Sequence, residues 1–276
     1  MKFWICVGGL SLCLAGCERL PDTPVKESSA PPPPPVVTPT ERAPETAAAT
    51  SAEPLQQASE LQAAGKLAEA RALLQPLAET GSEALRTLLS ELNTRIIFTP
   101  APAPEKVDYT IVAGDSLGKI AKQFHTTIEL IKQANGLSSD LIRVGNRLRV
   151  YQAEFAVTVS KANNILTLTD RGQFFKRYRV GTGEYSKTPV GEFKITVRQE
   201  QPVWHRGDKT IPFGDPENIL GTHWLGLDVP GYGLHGTWET NSIGRQATAG
   251  CIRMLNDDVA QLYTLLPVGT PVTIRD

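Results

Sequence analysis

Four cysteines occur in this 276-residue chain, and only Cys251, in "TAGCIRM" (Thr248–Met254), lies beyond residue 17. A thiol attacks a carbonyl efficiently when a base takes its proton and N–H donors hold the oxyanion that forms. Three histidines share the last part of the chain: His205, His223 and His235. His235 stands in "GYGLHGTW", sixteen positions before the cysteine, among glycines that let backbone approach a substrate closely. Gly250 does the same beside the thiol, and the N–H groups of Gly250 and Cys251 are the oxyanion donors the spacing offers. The competing reading is an inert buried cysteine, because Cys is among the most buried residue types.

Whether Cys251 has a partner depends on the start of the chain. Lys2, the apolar run Phe3 to Leu14, and Ala15-Gly16 before Cys17 form a charged region, an apolar region and a processing site. The apolar run is about a dozen residues, short of the roughly twenty a membrane-spanning helix needs. "LAGC" (Leu14–Cys17) resembles the lipobox of bacterial lipoproteins, whose signal is cut before a cysteine that then receives lipid. The resemblance implies that residues 1–16, with Cys6 and Cys13, are removed and Cys17 is acylated, so Cys251 is left without an intrachain partner. An ordinary secretory signal with an incidental cysteine is the alternative. Glu18, where aspartate would resemble an inner-membrane retention signal, points to the outer membrane of a Gram-negative cell. The expected location is the cell envelope, periplasmic and lipid-anchored, with several acyl chains holding firmly where one would not.

The elements that must position the thiol are organised in blocks. Residues 17–54 are rich in Pro, Ala, Thr, Ser and Glu, including "PPPPP" at 31–35, and read as a disordered spacer. Residues 55–98 carry apolar residues at spacings of three and four, predicting helices near 55–64, 67–79 and 82–95, broken at Gly65 and Gly81-Ser82. "AAGKLAEARALLQPL" in this stretch resembles a tetratricopeptide unit. One unit and a fraction is less than such arrays need, so the segment either packs within the chain, self-associates, or docks a protein partner. "TPAPAPEK" (99–106) reads as a second proline linker. The net charge of −1 gives no sign of nucleic-acid binding.

Residues 107–152 predict strand, helix, helix, strand, with Ser116 capping the first helix and Leu117, Ile120, Ala121 and Phe124 on its inner face. Through "GDSLGKIA", "ANGL" and "IRVGNRLRV" this stretch resembles the LysM domain, which binds N-acetylglucosamine-containing glycans. The resemblance implies a groove formed by Gly114, Asp115, Ser116 and Leu117 with Leu141 and Ile142. Turn formation and core packing are the alternative roles for Gly114, Leu117 and Leu141. His125 reads as a surface or cap residue.

From residue 155 to 276, strand patterns dominate: "FAVTVS", "NILTLT", "FFKRYRVG", "EFKITV" and "PVTIR". Asp170-Arg171-Gly172 predicts a tight connection, and Asn256 to Leu266 a single helix that Asn256 caps. "VGTGEY" lacks the third glycine and the helix of a nucleotide site. "HGT" at 235–237, "SIGRQATAGCIRM" at 242–254, "VGTGEYSKTPVGEFKI" and "LGTHWLGLDVPGYGLHGT" together resemble the YkuD-type L,D-transpeptidases. The resemblance implies a β-sandwich-like, mainly-β catalytic domain, making the chain a multidomain protein with a βααβ LysM domain and a helical segment. It implies Cys251 as nucleophile, His235 as base and Gly236 as the carbonyl that orients the ring. It also implies Gly250 and Thr248 as oxyanion and loop support, and Arg253 as a binder of a carboxylate or of the loop. Tyr232 and Trp238 are read as substrate wall or as packing. Ala249 stands where some members carry a second histidine, leaving the base role to His235 unless His223 folds close.

The implied reaction joins peptidoglycan stems through a thioester with loss of D-alanine, without metal or organic cofactor. A thiol-dependent carboxypeptidase or endopeptidase, and a non-catalytic tethering lipoprotein, are the rival readings. The expected partners are peptidoglycan stem peptides and glycan strands, and the membrane through the N-terminal lipid.

Overall fold

A computed structural model describes residues 45–276. The signal region 1–16, Cys17 and most of the 17–54 spacer lie outside the described residues, which fall in one compact unit. In chain order the elements are α1 (Glu45–Ala63), α2 (Leu67–Leu74), α3 (Glu83–Phe98), β1 (Lys106–Thr110), α4 (Leu117–Gln123), α5 (Ile128–Ala134) and β2 (Arg147–Tyr151). The last part contains β3 (Phe155–Ser160), β4 (Ile165–Asp170), β5 (Gln173–Arg179), β6 (Thr182–Gly183), β7 (Gly191–Glu200), β8 (Trp204–Arg206), β9 (Lys209–Ile211) and β10 (His223–Leu227). It ends with β11 (Gly233–His235), β12 (Gln246–Thr248), β13 (Ile252–Arg253), α6 (Asn256–Leu265) and β14 (Pro271–Arg275).

Helix α1 begins at Glu45, inside the stretch that composition assigned to the spacer. Ala47, Ala48 and Ala49 supply the best helix former, and Pro54 removes one hydrogen bond without ending the helix. The second helix stops at Leu74, and Pro76 lies in a short 3₁₀ turn, Gln75–Leu77, because proline cannot donate in a helix interior. The three helices bury Ala58, Ala70, Leu74, Leu85, Leu89 and Leu92 against one another, and Phe174 of β5 enters the same core.

That insertion matters because β5 is the outermost strand of the main sheet, where unpaired backbone would invite a foreign strand. The helices cover it with side-chain amides. Asn93 Nδ2 donates to the carbonyls of Phe174 (3.3 Å) and Phe175 (2.9 Å), and Gln75 Nε2 donates to that of Phe174 (3.0 Å). The apolar face of the helical segment is therefore used within the chain. The 99–106 stretch is a fastened connection, unlike the loose tether its prolines predict. Arg71 pairs with Glu105 at 3.0 Å, and Lys106 Nζ donates to the carbonyls of Ile96, Thr99 and Ala101.

The βααβ unit forms as expected, with β1 and β2 antiparallel and Ser116 Oγ accepting from the Lys119 N–H at 3.3 Å. Its core joins Ile111, Leu117, Ile120, Phe124, Ile131, Leu148 and Val150. It is bolted to the last domain: Arg198 of β7 pairs with Glu129 of α5 at 3.0 Å and donates to the Tyr263 carbonyl at 2.5 Å. Thr127 also donates to the Thr264 carbonyl.

The last domain is mainly β. Its eight-stranded sheet runs β13-β11-β10-β7-β14-β3-β4-β5 and is continuous, where a sandwich would have two separate sheets. The continuity comes from β7, whose first half pairs with β14 (Gly191↔Ile274 to Lys194↔Pro271). Its second half pairs with β10 (Ile195↔Leu227 to Glu200↔His223). Leu166, Leu168, Val272 and Ile274 from one half, and Leu225, Leu234 and Ile252 from the other, share a core with Val259, Leu262 and Leu265 of α6. The Asp170-Arg171-Gly172 connection is as tight as its residues predict. Arg171 (φ 49°) and Gly172 (φ 73°) both take the left-handed conformation that suits a two-residue hairpin.

Candidate active site

Register sets Cys251 and His235 on neighbouring strands. The short strand β11 lies between β10 (Trp224↔His235) and β13, with which it is parallel (Leu234↔Ile252, His235↔Arg253). Cys251 immediately precedes β13, so the same register sets it beside Gly233, one strand over from His235. Gly233 has no room for a side chain, because a Cβ would stand 2.7 Å from the Trp224 ring. That ring stacks on the His235 imidazole at 5.9 Å and 25°.

His235 is 2% exposed, and its Nδ1 lies 2.6 Å from the Gly236 carbonyl oxygen. A carbonyl only accepts, so Nδ1 carries the hydrogen and Nε2 the lone pair. Burial pushes the imidazole down to about 4. The carbonyls of Gly236 and Leu220 oppose the shift and the Arg253 charge adds to it. The ring is thus neutral at neutral pH. Asn256 holds the loop that supplies the Gly236 carbonyl, accepting from the Thr222 N–H (3.1 Å) and donating to the Thr237 carbonyl (3.0 Å). It does not cap α6, whose cap position is Leu255.

The Cys251 thiol is half-buried and donates to the Gly231 carbonyl at 3.4 Å. Burial raises its pKa, while the Gly233 backbone N–H and the Arg253 charge pull it down. Among the described residues no hydrogen bond joins this sulfur to the imidazole. The resting pair is neutral thiol and neutral base, so the proton moves as the sulfur attacks.

The loop before the thiol is tied by hydroxyls. Thr248 Oγ1 accepts from the Gly250 N–H (3.1 Å) and donates to the Cys251 carbonyl (2.7 Å). Thr188 Oγ1 donates to the Gly250 carbonyl (2.8 Å) and accepts from the Gly183 N–H (2.7 Å). Gly250 takes φ 138°, and a Cβ there would meet the Tyr232 ring at 2.8 Å. The Gly250 N–H is therefore committed to the loop and is not an oxyanion donor. The Cys251 N–H has no acceptor among the described residues and remains open.

Other expected site residues fall elsewhere. Arg253 is 7% exposed with Nη1 2.9 Å from Glu239 Oε2, so its charge is fixed within the chain and not offered to a substrate carboxylate. Tyr232 packs on Gly250, whereas Trp238 is 59% exposed and lines no part of the thiol cavity. His223 takes no place beside the thiol. Its Nδ1 lies 2.9 Å from Thr222 Oγ1, its ring is 4.7 Å from that of Tyr263, and its charged neighbours are Glu200, Arg198 and Glu129.

The thiol opens into a cavity of about 270 Å³ lined by Gln199, Val203, Trp204, His205, Leu220, Trp224, Gly231 and Cys251. Sequence reasoning picked out Cys251 and His235 but missed the roles of Trp224, Thr188 and the β8–β9 hairpin, and read Asn256 as a helix cap. Trp224 and Thr188 lie within the family-like stretches, whereas the hairpin lies outside them.

In the βααβ unit, Asp115 accepts from Tyr109 Oη and the Val112 N–H, each at 2.9 Å, and so shapes the turn. Gly114 offers its carbonyl to Lys119 Nζ, Ser116 caps α4, Leu117 is buried and Ile142 packs on the core. Leu141, 77% exposed, stands out from that core, as do Val112 and Val144, which the groove expectation left out. His125 is exposed, as its sequence suggests.

Relatives share this arrangement of sequence. YqjB of Bacillus subtilis, named as an L,D-transpeptidase, is 41% identical over 126 residues, 44% of this chain and 70% of its own length. YkuD of the same organism, named likewise, is 34% identical over 174 residues, 60% of this chain and 98% of its own. This chain belongs to the L,D-transpeptidase family. Residues 154–274 match the family model of the L,D-transpeptidase catalytic domain, and residues 109–150 that of the LysM domain. Among solved structures, an L,D-transpeptidase from Mycobacterium smegmatis aligns with a TM-score of 0.40 at 23% identity, over 49% of this chain and 65% of that one. In this L,D-transpeptidase the matched catalytic region contains Cys251, His235, the Thr188 and Thr248 ties and the cavity, so the described site lies wholly within it.

Proposed function

We propose that Cys251 attacks the carbonyl of the third residue of a peptidoglycan tetrapeptide stem. The observation that supports this is the β11–β13 register, which puts Cys251 on the strand next to that of a buried imidazole whose Nδ1–H is held on Gly236. As the sulfur–carbon bond forms, the thiol proton passes to His235 Nε2. The Cys251 N–H faces the oxyanion, while the imidazolium returns its proton to the departing D-alanine amine and a thioester remains. An acceptor amine then attacks, gives a proton to His235, and leaves as the new amide while the thiol is restored.

The LysM domain holds the glycan of the same polymer, with exposed Leu141, Val112 and Val144 as its apolar contacts. Lipid on Cys17 would hold the chain at an envelope membrane, the outer one in a Gram-negative cell, with residues between Cys17 and α1 as the spacer. The TPR-like helices serve as the cover of β5.

Incubating the purified protein with tetrapeptide muropeptides tests the reading by mass spectrometry. A covalent adduct on Cys251, loss of D-alanine and a new cross-linked dimer are expected, and Cys251→Ser should form none of them. Tripeptide without dimer assigns hydrolysis instead, and an unmodified Cys251 with unchanged stems assigns a tethering role. Co-sedimentation with sacculi that survives loss of the exposed leucine in Leu141→Ser would remove Leu141 from the glycan contact.

A further inference from the structure

One wall of the thiol cavity has no part in the mechanism above. Strands β8 and β9 form a hairpin that pairs only with itself. Its root is stapled by the buried Asn218, whose Nδ2 donates to the carbonyls of Pro202 (2.9 Å), Ile211 (3.1 Å) and Pro212 (3.1 Å). The Asn218 Oδ1 accepts from the Leu220 N–H at 3.0 Å, and Leu220 itself lines the cavity. Hairpin and cavity are thus set by one side chain.

From this hairpin Trp204 and His205 reach the cavity wall. Val203, Trp204, Leu220 and Trp224 make the wall largely apolar and Gln199 is neutral, so His205 is its one ionisable side chain besides the thiol. Across the hairpin, His205 faces Thr210, and its Nδ1 lies 3.4 Å from Thr210 Oγ1. Nε2 has no partner among the described residues.

The donor stem of the proposed reaction ends in a free carboxylate one residue past the attacked carbonyl. A carboxylate entering a mostly apolar cavity loses water and requires a donor there. Arg253, the residue its sequence position suggested for this, is buried on Glu239. We propose that His205 binds the terminal carboxylate of the donor stem and so makes the hairpin the selector for stems with a free C-terminus at that position. This rests on the stem-donor reading above.

The test compares two donors, the tetrapeptide stem with its free carboxylate and the same stem as its C-terminal amide, by the rate of thioester formation on the full chain. Wild type should favour the carboxylate by about tenfold or more, the size of a charge-assisted hydrogen bond. His205→Ala should bring the two donors to within about twofold, chiefly through KM, and His205→Lys should restore the preference. Alkylation of Cys251 by iodoacetamide should be unchanged in His205→Ala, which shows the thiol site intact. Arg206→Gln, at the hairpin tip with its guanidinium over Trp204, should keep the preference. The inference is overturned if His205→Ala retains the preference, if wild type has none, or if Arg206→Gln alone abolishes it. Absence of any thioester from either donor in wild type would bring down the stem reading itself, and this inference with it.

Discussion

Replacing His235 by asparagine should flatten the acid side of the stability curve. Folded, the imidazole sits near 4; unfolded, it returns to 6.5. Between those values the unfolded chain binds a proton that the folded chain refuses, so stability rises with pH across this window. The contribution is fully present above about pH 6.5 and is lost as pH falls through the folded value; at its full extent it amounts to about 3 kcal/mol. Asparagine cannot titrate, so its variant lacks this term, while the carboxylates and His223 titrate alike in both proteins and cancel in the difference. Urea unfolding of wild type and His235→Asn, followed by tryptophan fluorescence, measures that difference. Wild type should lose about 2 kcal/mol relative to the variant between about pH 7 and about pH 4.5. The constant cost of the smaller side chain does not enter, because only the change with pH is compared. If the gap is the same at both values, the folded imidazole titrates normally and the argument for a permanently neutral base at rest is wrong.

Further outcomes follow from the same contacts. Because burial raises the Cys251 thiol, its alkylation rate should climb through about pH 9, and a plateau below about pH 8 would mean a thiolate at rest. Thr248→Ala removes both hydroxyl ties of the loop and should slow thioester formation about tenfold, whereas Thr248→Ser should stay near wild type; equal rates for all three would exclude the hydroxyl. Glu239→Gln leaves the buried Arg253 charge uncompensated, so the alkylation curve of Cys251 should move to lower pH, and an unmoved curve would show that this charge does not reach the sulfur. Asn93→Ala uncovers the β5 carbonyls and should cost about 1–3 kcal/mol in unfolding experiments; no loss would show that water replaces the amide without penalty.

The candidate pair of Cys251 and His235 was picked out by a lone cysteine, a histidine among glycines and the family-like stretches around both. Elements with strong periodicity were legible too, as β3 and β4 bury alternate residues and Ser116 caps α4 where it was expected to. What failed to show was the use of ambiguous residues. Asn256 looks like a helix cap because it precedes an apolar helical run, yet its amide bridges two loops 34 and 19 residues earlier in the chain. Gly250 looks like an oxyanion donor because of its place, yet a hydroxyl two residues away takes its N–H. The prolines of 99–106 suggest a tether, yet Arg71 on Glu105 and Lys106 on nearby carbonyls fasten that stretch. For Asn256 and Glu105 the deciding partner is far away in the chain, and for Gly250 it is a side chain whose use of its hydroxyl the sequence does not show.

That fastening changes how a glycan grip would assist the thiol. On a flexible tether, binding one part of a polymer raises the local concentration of every stem within reach, by an amount that falls as the linker lengthens beyond the span. Here α5 is tied to the catalytic domain by the pair of Glu129 with Arg198 and by the Thr127 hydroxyl on the Thr264 carbonyl. Arg198 lies on the half of β7 that pairs with β10, and β10 in turn pairs with β11, which carries His235. From α5 to the strand that carries His235 the contacts run through a part-buried ion pair and the β7–β10–β11 ladder. A strand held in the groove would present only those stems whose offset and rotation match the cavity, and all others would be held at the wrong distance. Under the proposed glycan grip such a mount would trade reach for register, and Glu129→Ala, which removes the Arg198 tie of α5, should broaden the choice of stem along a bound strand while leaving the reaction of free muropeptides unchanged.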